Sequence, residues 1–494
     1  MRYETIKALK YNYSHAFQPT YLTTMENSPQ TTAPAAAPSM PLPPQPPKPV
    51  LYYVLKDGAQ MGPYDMGKIN EMIAAEELAV DVMVWTEGMA EWKPVSEVGG
   101  KSVDMKKLAV SSALKTKDTA LKAAKKLDSL VGSASGLSKL EGFRWGSFFS
   151  AVFKKHTDDE VYEIFNCGTP TNTPSIDNVS PSWPTPWLFT RMLVYGFVLT
   201  VLFYIGVTYF DNSNMVPGFI LFVSLTIPFS VFMMFYELNV RRDVSMYNAL
   251  RGLFAGGAAS LLYALLIFSK LEFLEGAWWA GPIEESAKLY AALIVARYIQ
   301  LRNGRILTGI LLGCATGAGF AIFETAGYVY RFTLRDEIIG MVHGVETNYG
   351  VQVALMRGIL APFCHVVWTA VTVGGFYLVS NLREKESAEK LEWRGVDWRA
   401  LADFRFLRIM LIPVCLHMVW NAGEIWMPWL GNSAIGKYAV YGFLGFVAWA
   451  LALRLVQAGI NQVRKEKEEF LAAGEMPSEE SIPESAAPTP ATAL

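Results

Sequence analysis

Between residues 187 and 457 the chain reads as one apolar run after another. A bilayer core takes about 20 apolar residues per helix, and eight such segments can be marked: roughly 187–209, 214–236, 246–269, 276–299, 306–329, 350–380, 405–428 and 434–457. The expected fold class is an α-helical polytopic membrane protein of about eight transmembrane helices. Composition agrees, because only 18% of the residues are charged against about 25% in soluble chains.

The basic residues set the orientation, since Lys and Arg are retained on the cytoplasmic side. With the N-terminus inside, the inner loops hold Arg241 and Arg242; Arg297, Arg302 and Arg305; seven between Arg383 and Arg408; and Arg464, Lys465 and Lys467. The outer loops hold Lys270, Arg331, Arg335 and Lys437. The expected location is therefore the cytoplasmic (inner) membrane with both termini cytoplasmic. The first residues contain charges and no unbroken apolar stretch, so no secretory signal is expected, and Met25 is an alternative start. A net charge of -2 without a basic stripe argues against nucleic acid as a partner. Cys167, Cys314, Cys364 and Cys415 have no CxxC spacing and suggest neither a disulfide scaffold nor a thiolate zinc site.

The N-terminal part divides by composition. Residues 1–49, ending PLPPQPPKP, read as disordered or polyproline II. Residues 50–100 read as a small α+β module: a strand around Tyr52 to Leu55, a turn at Asp57-Gly58, a helix from Asp65, and a strand ending in Trp85. Residues 101–186 form a linker and juxtamembrane segment. Its first part, to residue 143, carries nine Lys/Arg, with Leu108, Leu114, Leu121 and Leu127 at near-helical spacing, either a basic helix on an anionic leaflet or a solvated linker. Residues 187–457 are the membrane domain, and 458–494 a disordered tail.

Chemistry is sought among ionisable residues inside the spans, because a charge at the bilayer centre costs about 2.5–3.5 kcal/mol. Glu284, Glu285 and Lys288 lie in span four, Glu324 in span five and Arg357 in span six; His365 and His417 lie in spans six and seven. Counted from the outer ends at about 1.5 Å per residue, Glu284, Glu285, Glu324 and Arg357 lie roughly 9–12 Å in, His417 about 17 Å and His365 about 22 Å. Four successive helices thus bring carboxylates and imidazoles to overlapping heights. Lys288 shares a helix side with Glu284 and Glu285, and His417, Asn421 and Glu424 share one face. Gly309, Gly313, Gly317 and Gly319 let span five pack closely.

Two resemblances follow. YYV, Gly62-Pro63-Tyr64, Val84-Trp85, Gly88-Met89 and Glu91-Trp92 resemble the GYF-like domain, which implies proline-rich peptide binding on an aromatic surface of Tyr53, Tyr64, Trp85 and Trp92. These aromatics are alternatively the core of a tiny domain, and PLPPQPPKP is a ligand available in cis. GPIEESAK (Gly281 to Lys288), GAGFAIFETAGYVY (Gly317 to Tyr330), RGILAPFCHVVWTAVTVGG (Arg357 to Gly375) and LHMVWNAG (Leu416 to Gly423) resemble the PrsW family of intramembrane proteases, in order through spans four to seven. With the related CAAX prenyl and bacteriocin-processing proteases, the resemblance implies Glu284 or Glu285 as the base that activates water, and His417 and Asn421 as oxyanion donors. It also implies His365 as a further catalytic histidine, and a membrane-protein substrate such as an anti-sigma factor. Lys288, Glu324 and Arg357 are expected in support. No cofactor is required by this scheme. A zinc mechanism is also chemically open and would use Glu285, His365 and His417. An ion-coupled transporter would place similar charges at mid-membrane, but no second EE-like segment marks an inverted repeat in spans one to three. A non-catalytic scaffold acting through the N-terminal module is the third class.

Overall fold

The computed structural model describes residues 50–473 apart from 57, 75, 76, 80, 99–104, 272, 300–303, 345, 346 and 387–395, and, for 105–117, the backbone alone. The proline-rich segment, Met25 and the tail from 474 lie outside the described residues. The described residues divide into two units, one up to residue 127 and one from residue 128 on.

In the smaller unit, β1 (Leu51–Lys56), β2 (Ala59–Asp65), β3 (Met83–Trp85) and β4 (Lys93–Pro94) form an antiparallel sheet in the order β2-β1-β3-β4. Helix α1 (Met66–Ala74) starts one residue after the expected Asp65, whose Oδ1 accepts the backbone N–H of Lys68 at 2.7 Å. Helix α2 (Val95–Val98) closes the unit. Its core is aliphatic, built on Val54, Ile69, Ile73, Leu78, Val82, Val84 and Val95. Side chains alternate faces along a strand, so Tyr53 and Trp85, paired in register next to Val54 and Val84, stand on the sheet face opposite that core. Sequence reading overlooked β2 and β4, because β2 (AQMGPYD) is mostly exposed and β4 has two residues. Helix α3 (Met105–Ser135) follows.

The larger unit holds helices α4 (Leu188–Thr208), α5 (Val216–Leu238), α6 (Met246–Phe268), α7 (Ala280–Tyr298), α8 (Ile306–His343), α9 (Tyr349–Leu360), α10 (His365–Glu386), α11 (Phe404–Asn421) and α12 (Ala434–Ala472). Among the described residues seven segments are long and apolar enough to cross a membrane, α9 and α10 counting as one; the protein is an integral membrane protein. The eighth expected span is present as α7, but Glu284, Glu285, Lys288 and Arg297 lower its hydropathy. The expected helix over 350–380 is broken: a 3-10 turn at Ala361–Phe363 and a non-helical Cys364 separate α9 from α10. Pro362 lacks the N–H a continuous helix needs, and its carbonyl accepts Trp449 Nε1 at 2.9 Å. Residues 458–472, expected in the tail, continue α12 because Ile460 and Val463 are buried.

Helix α8 is the buried axis of this unit, packed on α10, α5, α6 and α12. Its glycines permit this: a Cβ at Gly317 would collide with the His365 carbonyl, and one at Gly319 with the Leu253 carbonyl in the π-turn Gly252–Gly256 of α6. At the Arg-rich end, Arg305 bonds Asp243 at 3.1 Å and Glu466 at 2.8 Å, tying α5, α8 and α12 together.

Candidate active site

Helix α7 opens with Gly281, where a Cβ would crowd Met418 and the Val414 carbonyl of α11. That close approach brings Glu284 and Glu285, in the second turn of α7, against His417. Helix α10 begins at His365 because of the break before it, and α8 contributes Glu324. Glu284, Glu285, Lys288, His365 and His417 are all buried.

Every one of the charged groups has a defined place. Lys288 Nζ donates to Glu285 Oε1 at 2.6 Å, stands 2.8 Å from His365 Nδ1 and 3.7 Å from Glu284 Oε2, and lies over the Phe320 ring. His417 Nδ1 lies 3.0 Å from Glu285 Oε1, and His365 Nε2 lies 3.1 Å from Glu324 Oε2. Arg357 binds Glu324, donates from Nε to Thr325 Oγ1 at 3.2 Å, and covers the Tyr328 ring. Glu284 Oε2 and Glu285 Oε2 are buried without a hydrogen-bond partner among the described residues.

The tautomers follow from the partners. A carboxylate only accepts, so a neutral imidazole beside it carries its proton on the facing nitrogen. His417 therefore donates from Nδ1 to Glu285, and His365 from Nε2 to Glu324. Their remaining nitrogens, His417 Nε2 and His365 Nδ1, keep lone pairs and lie 3.8 Å and 4.0 Å from Glu284 Oε2. In this form neither can donate to an oxyanion.

Glu284, His365 and His417 also place one donor atom each within 4.8 Å of one another, a grouping able to hold a metal ion. It uses Glu284 where the sequence expectation used Glu285, because Glu285 Oε1 is already engaged by Lys288 and His417. The donor set fits a divalent ion: two imidazole lone pairs, a free carboxylate oxygen, and a carboxylate behind each histidine, the usual arrangement around a metal-ligating imidazole.

The other expected residues are placed as follows. Asn421 is the half-buried last residue of α11, one turn beyond His417. Glu424 is exposed. In the N-terminal unit, Tyr53 and Trp85 are neighbours with ring centroids 6.2 Å apart, Tyr64 packs against the aliphatic core, and Trp92 is half-buried. Sequence reasoning missed Arg454, a cation buried within the last span. It bonds Asp128 Oδ1 at 2.7 Å and the carbonyls of Asp128, Leu137 and Ser138, fastening the end of α3 and the turn after it to α12. The rule applied to the other spans, that an ionisable residue within an apolar run has a partner, would have found it. Trp368, present in the motif but given no role, is fully buried against His417 with its indole N–H unpartnered among the described residues.

No curated protein and no solved structure matches the chain. Residues 246–452, which contain every residue of the cluster, match the model of the PrsW family intramembrane metalloprotease, and residues 52–100 match GYF domain 2. Over residues 246–452 the chain is thus similar to the PrsW family of intramembrane metalloproteases and, over residues 52–100, to the GYF domain.

Proposed function

We propose that the chain is a metal-dependent intramembrane endopeptidase that cleaves a membrane-protein substrate at Glu284, His365 and His417. The observation that carries the reading is the convergence of three acceptor atoms, Glu284 Oε2, His365 Nδ1 and His417 Nε2, with 3.8 Å and 4.0 Å between the carboxylate and the two nitrogens. A bound divalent ion would supply Lewis-acid polarisation of the scissile carbonyl and of water. The chain's own groups do the rest. Glu285 and Glu324 fix the two imidazole tautomers. Glu285 Oε2, unpartnered and buried, is the carboxylate available to take a proton from water. Lys288 is the cation nearest to the cluster and the donor available to developing negative charge. Asn421, one turn beyond His417, is a second donor toward the same end of the site.

A second reading is favoured by the 2.8 Å approach of Lys288 Nζ to His365 Nδ1, which occupies one of the three lone pairs. On that reading the site holds no metal, and Glu284 is itself the base. One experiment separates the two. The full chain is purified in detergent, its metal content is measured, and cleavage of a single-span reporter is followed after chelation and zinc return. Stoichiometric metal, loss on chelation and recovery with zinc support the first reading. Undiminished cleavage by metal-free protein supports the second. Equal cleavage by wild type, Glu284→Gln and His417→Ala would remove the peptidase reading.

With the Arg-rich loops taken as cytoplasmic, both termini are cytoplasmic in this reading and the cluster lies in the half of the membrane away from them. Glu324 stands 18 residues from the start of α8, or about 27 Å along the helix. The reading therefore assigns cleavage to the outer half of a substrate helix, and an anti-sigma factor is a substrate of suitable form. In the GYF domain, the half-buried Tyr53 and Trp85 form the aromatic face for a proline-rich segment, and PLPPQPPKP is such a segment within the same chain.

A further inference from the structure

Beside the metal-type cluster lies a small cavity of about 30 Å³ that the catalytic scheme does not use. Its wall is made by Met356, Leu360, Ala361, Trp420, Tyr441 and, at one side, His365. Its existence traces to the broken helix. Had α9 run on into α10, the stretch around Ala361 and Cys364, both on the wall, would have packed as a continuous turn; the 3-10 turn and the non-helical Cys364 leave a recess instead. Trp420 and Tyr441, stacked with centroids 4.1 Å apart, give it a rigid side.

Three properties identify the occupant. His365 belongs both to the wall and to the cluster, so a group in the recess is one side chain away from the reacting centre. The surroundings are mainly apolar, and the charged group at the edge, Arg357, is engaged by Glu324, Thr325 and the Tyr328 ring. The volume admits about two water-sized groups, since one such group needs roughly 10–15 Å³ on this measure. A small apolar side chain satisfies all three; an aromatic one is too large, and a charged one finds no free partner.

We propose that this recess is the subsite for a small apolar side chain next to the scissile bond, with Met356 and Leu360 setting the size it admits. The proposal rests on the peptidase reading above and names the specificity of the same site.

The test uses the full chain in detergent and a single-span substrate library carrying every residue type at each position around the cut, with products read by mass spectrometry. Wild type is expected to favour alanine, or a side chain close to it in size, over leucine and phenylalanine at one position. A missing or extra methylene in an apolar pocket changes specificity about 10–200-fold. Met356→Ala and Leu360→Ala, which enlarge the recess, should raise the relative kcat/KM for leucine at that position at least tenfold, mainly through KM. Ala361→Val, which fills it, should narrow the same position toward glycine. All three variants are checked for wild-type elution and thermal unfolding. Active, folded variants with unchanged preferences at every position would overturn the subsite while leaving the peptidase reading intact. A wild-type enzyme that cleaves no library member would overturn both.

Discussion

The adjacent carboxylates of α7 are chemically identical and differ only in what they touch, which gives opposite expectations for their amides. Glu285 is fully buried; its Oε1 holds Lys288 at 2.6 Å and His417 at 3.0 Å. Glu285→Gln keeps an acceptor oxygen but removes the charge, leaving Lys288 buried with only the more distant Glu284 at 3.7 Å to balance it. Breaking a buried pair by removing one partner costs about 3–5 kcal/mol, and the retained oxygen and the second carboxylate bring the expected loss to the lower end, about 3 kcal/mol. Glu284 Oε2 has no hydrogen-bond partner among the described residues. Glu284→Gln therefore removes little that holds the fold and leaves stability within about 1 kcal/mol of wild type, because most of the energetic damage of a deletion comes from stranded partners. Activity should fall in both, by about 10²–10⁴-fold for a group acting on the reacting atoms. The assay pairs reporter cleavage with unfolding in mixed micelles, titrated by denaturing detergent. If Glu284→Gln lost as much stability as Glu285→Gln, the assignment of the fold-holding contacts to Glu285 rather than Glu284 would be refuted.

Gly317→Ala puts a Cβ against the His365 carbonyl; overpacking of this kind costs about 1–3 kcal/mol, and cleavage should drop although the substituted residue touches no substrate, whereas wild-type cleavage would show that His365 tolerates displacement. Arg357→Met and Glu324→Gln should each destabilise the protein and be strongly non-additive in a double-mutant cycle, because the two groups pair directly; additive losses would contradict the pairing. Arg454→Leu should expose residues 128–141 to hydrogen exchange and protease, since its guanidinium holds Asp128, Leu137 and Ser138; unchanged protection would contradict that role. Trp85→Ala should weaken binding of a proline-rich peptide by full-length protein at least tenfold, and undiminished binding would move the peptide site elsewhere.

Much of the membrane domain was legible because bilayer thickness imposes a length on apolar runs, and that constraint acts on each helix separately. What escaped has a physical cause in each case. Helix α7 carries the charges of the site, so its hydropathy understates its burial. The break at Ala361–Phe363 followed from Pro362, whose effect was submerged in an otherwise unbroken apolar run. Within the site, the helix counts brought Glu284, Glu285, His365 and His417 to overlapping heights, but the partner of each nitrogen depends on side-chain placement across four helices. Periodicity could show that two carboxylates of α7 point in different directions; it could not show which one meets His417 Nδ1. The aromatics of the GYF domain were ambiguous for a related reason: only the strand pairing shows that Val54 and Val84 take the core face and leave Tyr53 and Trp85 on the other.

Charge balance connects these details to function. Among the described residues the cluster has three carboxylates, Glu284, Glu285 and Glu324, and two fixed cations, Lys288 and Arg357. Glu285 is matched most closely by Lys288 and Glu324 by Arg357, so the negative charge left over falls on Glu284, the carboxylate between the two inward-facing lone pairs. An uncompensated charge within a membrane is costly, and the neighbouring imidazoles, each committed to a carboxylate through its proton, do not neutralise it. On the proposed reading the site acquires positive charge at Glu284: a divalent ion in the metal reading, a proton drawn from water in the other. A simple structural salt-bridge network would close its own balance. In this one the deficit sits where acceptor atoms converge and beside the proposed subsite, and that juxtaposition supports the proposed reaction centre over a fastening between helices.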